Sequence, residues 1–170
     1  MPDYRPVGAA DLPAIRDLQI DSWRRTYRGM LPDRFLKDEV EGALGARWAA
    51  MPGAAWVVES VWNGSRLAGF IAVDTEVAGG AYVDNLHVAD WAQGQGLGRA
   101  LMVRAAQAVA ARGIGAMWLT VMRDNPGSRA FYRRIGGIEG PEQTQDLCGQ
   151  LVHCLPVRWN DLSELTDLGG

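Results

Sequence analysis

The stretch "AYVDNLHVADWAQGQGLGRALMVRAAQAVAARG", Ala81 to Gly113, constrains the fold more than any other. A β-rich run, Ala81 to Val88, gives way to Gly94, Gly96 and Gly98, three glycines in five residues. A helix is expected at once, from about Gly98 to Arg112, with Leu101, Met102, Ala105, Ala106, Val109 and Ala110 forming its apolar stripe. Gly113 suits its C-terminal cap. The first amides of any such helix lack internal partners and lie at the positive end of its dipole. Backbone without side chains lets a ligand come close. Together these make an anion site, and phosphate is its common occupant.

The flanking segments place this unit in a mixed α/β chain. "YRPVG" reads as a short first strand, and Asp11 caps a helix with Pro13 in its first turn. That helix closes at Arg28-Gly29. "LPDRFLKDEVEGALGARWAAM" reads as one or two further helical segments, broken near Gly42 or Gly45. "WVVESVW" and "RLAGFIAVDTE" form a hairpin around Asn63-Gly64. A strand over "AMWLTVM" follows the glycine-led helix. Asn125 caps the next helix, Pro126 opens it and Gly136-Gly137 end it. Two strand-like segments between about Ile138 and Trp159 follow, and "SELTDLGG" reads as a loose end. The expected order is β-α-α-β-β-β-α-β-α-β-β, a single domain over 1–170 with its core at about 4–159.

Composition narrows the function. The chain has 170 residues and a net charge of −3, with no block of like charge, which disfavours nucleic acid. No apolar run approaches the ~18 residues of a membrane helix. The N-terminus shows no basic-then-apolar signal, so a cytoplasmic protein is expected. Cys148 and Cys154 read as free thiols. His87 and His153 are the only histidines, and no metal-ligand spacing occurs, so no metal is expected.

Neither common phosphate loop fits. GxxxxGK[ST] is absent, and GxGxxG fails because Arg99 or Leu101 stands at its last position. What fits is QxxGxG, made by Gln93, Gly96 and Gly98. The segment "LHVADWAQGQGLGRALM" resembles the acetyl-CoA-binding motif of the Gcn5-related N-acetyltransferases, the GNAT superfamily. Downstream, "NPGSRAFYRRIGG" is similar to that family's Asn-x-x-Ala/Ser-x-x-Phe-Tyr helix. The two matches come in the family's order, and the resemblance covers about residues 4–159.

The resemblance implies a mixed, mostly antiparallel central sheet with helices on both faces. It implies acetyl-CoA as cosubstrate, its pyrophosphate on the amides of Gln93, Gly94, Gln95, Gly96, Leu97, Gly98 and Arg99. It implies pantetheine lying along Leu86, His87 and Val88 as an added strand would, with Asn125 and Ser128 also on the cofactor. It implies that this strand and "AMWLTVM" splay apart. Transfer of acetyl to an amine needs a neutral amine, a polarised carbonyl and a proton for the departing thiolate. Tyr132 matches the family's acid position. The family's usual Glu is replaced by Tyr82, so the base stays open among Asp84, Glu59, His153 and a chain of waters. His87, alternating to the opposite face from Asp84, reads as a packed residue. Trp23, Tyr27, Arg28 and Tyr82 are the candidate acceptor pocket. Asp33, Asp38, Glu39 and Glu41 read as a wetted helix face.

The expected function is acetyl-CoA-dependent N-acetylation of a primary amine on a small molecule or peptide. A non-catalytic acyl-CoA sensor and a transferase of longer acyl groups are the alternatives. A homodimer through the apolar tail strands stays open.

Overall fold

The structure is a computed structural model in which residues 1–169 are described. Strand β1 (Asp3–Pro6) leads into helix α1 (Leu12–Thr26), then α2 (Val40–Arg47). Strands β2 (Trp56–Asn63), β3 (Arg66–Asp74) and β4 (Ala81–Val88) follow, then α3 (Leu97–Ala111), β5 (Met117–Met122) and α4 (Pro126–Arg134). The chain ends with β6 (Ile138–Glu139), β7 (Gln143–Leu147), β8 (Gln150–Trp159) and α5 (Ser163–Thr166). The sheet order is β1-β2-β3-β4-β5-β8-β6, with β7 also on β8. All pairings are antiparallel except β4 with β5.

Alternation along β3 divides the core into two layers. Phe70 and Ala72 face α1 with Leu12, Ile15 and Trp48. Ile71 and Val73 face the other way, against Leu101, Met102, Ala105 and Val109 of α3. All four β3 residues are fully buried, which is why this strand reads as a continuous apolar run. Each large side chain buried this way contributes ~1.5–3 kcal/mol. A third cluster of Ile20, Trp23, Phe35, Leu36, Val40 and Leu44 packs on Met122 and Val152, closing the α1 side near β5 and β8.

Four local expectations need correction. First, the helix expected to break at Gly42 or Gly45 runs through both glycines. Val40, Leu44 and Trp48, four residues apart, are buried and hold one face down, while Gly42 is exposed. The irregularity lies earlier, as a π-turn over Phe35–Glu39 in which the Val40 amide donates to the Phe35 carbonyl. Second, Asp11 precedes α1 without bonding its amides; its carboxylate accepts from the Gly8 amide (2.8 Å) and from Arg5 (2.9 Å). Third, the β2–β3 loop is Gly64-Ser65, with Asn63 still paired to Arg66. Fourth, the segment read as a loose end is docked. Leu162 and Leu165 are buried in the α3-side core, a gain that free chain lacks.

Two features position the site. Strands β4 and β5 pair only at Ala81–Met117 and Tyr82–Trp118, then part. On its other side β4 carries a bulge: Val83 pairs with Val73 and Asn85 with Ala72, so Asp84 is the extra residue. The expected splay is therefore present.

Candidate active site

The parting of β4 and β5 opens a cleft of about 720 Å³. At one end stands the N-terminus of α3. Gly94 and Gly96 both have φ +76°, and a Cβ at either would meet nothing within 4 Å. These two glycines give left-handed backbone beside open space. Gly98 faces packing instead of open space: a Cβ there would lie 3.4 Å from the Phe131 ring, an ordinary van der Waals contact. The first helical bond runs from the Ala100 amide to the Gly96 carbonyl, leaving the Leu97, Gly98 and Arg99 amides without partners inside the helix. Bare backbone, unpaired amides and open space fit a phosphate group. The Arg99 guanidinium also borders the cleft and donates to the Leu168 carbonyl, which ties it to the docked tail.

Asn125 caps α4 as expected, accepting from the Ser128 amide at 3.1 Å, and both residues border the cleft. So do Leu86, His87, Val88, Gln93, Phe131 and Tyr132. Gln95 does not; its side chain donates back to the Trp91 carbonyl. Arg28 is also outside, beside a shallow hollow with Asp33 and Lys37, which removes it from the acceptor pocket. It follows the end of α1, where Gly29 at φ +79° turns the chain away.

At the other end three phenols share one space. Burial first, then Tyr27 and Tyr82, push the Tyr132 hydroxyl well above the usual tyrosine range. Burial and Tyr82 push Tyr27 up to about 12. Thr120 donates to Gln145 Oε1 at 2.7 Å, so the 3.2 Å contact with Tyr82 is a bond donated by the Tyr82 hydroxyl. Among the described residues the Tyr132 hydroxyl has no hydrogen-bond partner. It is protonated at neutral pH and unengaged.

Asp84 borders the same cleft and is ion-paired with Arg47 through Oδ2. Burial raises its carboxyl above the usual range, opposed by Arg47. The bulge overturns the expected placement of His87. Asp84, Asn85 and His87 reach Arg47 of α2, Gln19 and Ser22 of α1 respectively, so all three share the helical face. His87 Nδ1 lies 2.8 Å from Ser22 Oγ, and burial followed by Arg25 lowers its pKa to about 4. The imidazole is packed and neutral. Glu59 and His153 are elsewhere: Glu59 pairs with Arg104 at 2.9 Å and His153 with Glu142 at 3.2 Å. Asp33, Asp38, Glu39 and Glu41 are exposed, as expected of a wetted face. Among the described residues no cluster of three or more His, Cys, Asp or Glu is arranged to hold a metal, and no helix is long and apolar enough to cross a membrane.

Sequence reasoning missed Arg47, Asn85, Thr120, Gln145 and Cys148, all bordering the cleft. Cys148-Gly149 turns β7 into β8 with φ +52° and +80°, an uncommon pair of residues for that geometry, so no turn signal marks Cys148 in the sequence.

Residues 12–137 match the acetyltransferase (GNAT) family. The chain belongs to the GNAT family. YuaI, an uncharacterized N-acetyltransferase of Bacillus subtilis (strain 168), is 26% identical over 171 residues, covering 99% of this chain and 98% of that one. The GNAT fold is shared with PaiA N-acetyltransferase of Thermoplasma acidophilum, solved with coenzyme A, at a TM-score of 0.71 and 17% identity, over 94% and 99% of the two chains. YncA of Salmonella typhimurium, solved with acetyl-CoA, gives 0.71 and 18% over 95% and 94%.

Proposed function

We propose that this GNAT protein transfers acetyl from acetyl-CoA to a primary amine of a small molecule or peptide, by direct attack. The observation that carries the reading is one continuous cleft. It runs from the unpaired amides of α3, past the free edge of β4, to an unengaged phenol and a carboxylate. The amides from Gln93 to Arg99 would hold the pyrophosphate, and β4 at Leu86 and Val88 the pantetheine. Asn125 and Ser128 stand beside them.

When bound, the cosubstrate supplies an activated thioester. The rest falls to the chain's own side chains. Asp84 keeps Oδ1 free of hydrogen bonds among the described residues, while Oδ2 takes Arg47. In this reading that oxygen accepts a proton from an ammonium and leaves a nucleophilic amine. Burial that raises the carboxyl makes it a better proton acceptor. Tyr132 holds its proton and donates towards the departing sulfur. The burial that pushes up its phenol would push up a thiolate in the same place, so the two remain matched. Trp23, Tyr27 and Tyr82 wall the acceptor end. No covalent enzyme intermediate is needed.

The test is incubation with acetyl-CoA and a pooled panel of polyamines, aminoglycosides, amino acids and N-terminal peptides, read by mass spectrometry. An acetylated amine is the expected outcome. Failure of calorimetry to detect coenzyme A binding would remove the reading.

A further inference from the structure

Asp84 ends a chain of buried polar groups that the chemistry above leaves unused. Trp48 Nε1 donates to Gln19 Oε1 at 2.5 Å. Gln19 Nε2 donates to Asn85 Oδ1 at 2.6 Å, and Asn85 Nδ2 donates to Asp84 Oδ2 at 2.6 Å. Gln19 is 0% exposed and Asn85 5%. Gln19 lies on the apolar stripe of α1, four residues from Ile15 and from Trp23, where an aliphatic side chain would serve packing as well.

The polarity of this chain is fixed at both ends. An indole N–H only donates, and a carboxylate only accepts. Trp48 therefore turns the Gln19 oxygen towards itself and the Gln19 nitrogen towards Asn85. Asn85 must answer with its oxygen, which leaves its NH₂ facing Asp84. No other orientation of the two amides satisfies every partner. The bulge at Asp84 makes the last link possible, because consecutive residues of a regular strand point to opposite faces.

We propose that Trp48, Gln19 and Asn85 are positioning residues that lock the Asp84 carboxylate in the cleft, holding Oδ2 and leaving Oδ1 for the acceptor amine. The inference rests on the reading of Asp84 as the base. The other charged or titratable groups acting on Asp84 are Arg47 from α2, Asp74 from β3 and Cys148 from the β7–β8 turn. Arg47 supplies charge from a side chain that is 39% exposed; the amide chain supplies orientation from a buried scaffold.

The experiment needs no acceptor at its first stage. The Asp84 side-chain carboxyl is titrated by ¹³C NMR in the wild type, Trp48→Phe and Gln19→Met. Trp48→Phe keeps a ring against Phe70, whose centroid lies 5.7 Å away in the wild type, and removes the donor together with part of the ring volume, which is why Gln19→Met is measured beside it. The two amides are then free to reverse and turn an oxygen on Asp84. Loss of a donor to the charged form moves the Asp84 midpoint to higher pH in both variants. A midpoint unmoved in the folded variants overturns the proposal. With an acceptor in hand, Trp48→Phe lowers kcat about tenfold, the equivalent of one hydrogen bond to a charged group, and leaves KM for acetyl-CoA unchanged. In an Asp84→Asn background the same substitution costs nothing further, since the two act through one group. Equal losses on both backgrounds would reduce the chain to packing. Asp84→Asn at the wild-type rate would remove Asp84 as the base, which is a different failure.

Discussion

At the scale of single residues, the site separates groups that look alike in sequence. Three tyrosines share the cleft, but Tyr82 is committed to Thr120 and Tyr27 packs edge-on against Trp23, their centroids 5.3 Å apart. Tyr132 alone is left free for the proposed proton-donor role. Tyr132→Phe is expected to lower kcat ~10²-fold with little change in KM for acetyl-CoA, measured in steady-state assays across pH. A kcat equal to wild type would take the role away. Gly96 belongs to the other end. Its φ of +76° costs a residue with a Cβ ~1–2 kcal/mol. Gly96→Val also narrows the approach to the amides, and calorimetry on the folded variant should show coenzyme A affinity down about tenfold or more. Unchanged affinity would move the phosphate site elsewhere. His87 sets a pH limit. Its pKa falls from 6.5 to about 4 on folding, so the unfolded chain takes up a proton that the native protein refuses. The stability this represents is complete above pH 6.5 and is lost as pH falls towards 4. Thermal melts should show His87→Gln with a shallower decline over that window than wild type; parallel declines would contradict it.

At the scale of elements, what could be read depended on where the determining partner lies. The bounds of β4 and the Asn125 cap of α4 were legible because alternation and capping are local. The glycine-led helix was placed to within a residue at each end. The bulge at Asp84 was not, because it is a slip between two strands and leaves no mark on either one alone. That slip also defeated the placement of His87, since alternation counted across it changes phase. The π-turn over Phe35–Glu39 is set by Phe35 and Leu36 reaching the cluster around Trp23, again a tertiary cause. Within the site, QxxGxG and Tyr132 were legible through motifs, while Arg47 and Asn85 carry no motif. The docked α5 is the clearest case. "SELTDLGG" offers only two leucines, too few to suggest a packed helix, but Leu165 lands fully buried in the α3-side core. Leu165→Ala should cost ~2–5 kcal/mol in denaturant unfolding. A loss below ~0.5 kcal/mol would mean that the tail is dispensable.

At the scale of the whole molecule, two blocks of strands meet at a single corner. β1 to β4 form one, β5 to β8 the other, and only two residue pairs join them. Helices close the wedge from both sides: Trp23 from α1 with Tyr27 just past its end, Leu97 from α3 and Phe131 from α4. This answers a general hazard of β proteins. A strand with an unpaired side usually lies at a sheet's rim, where it recruits other chains and seeds aggregation. The unpaired side of β4 lies at the centre of the sheet, walled in by helices. Another sheet cannot reach it, and a folded partner cannot either. Only something as thin as a single thread can enter and take up the open hydrogen bonds. The fold keeps the adhesive power of a β edge and sieves by thickness what is allowed to use it.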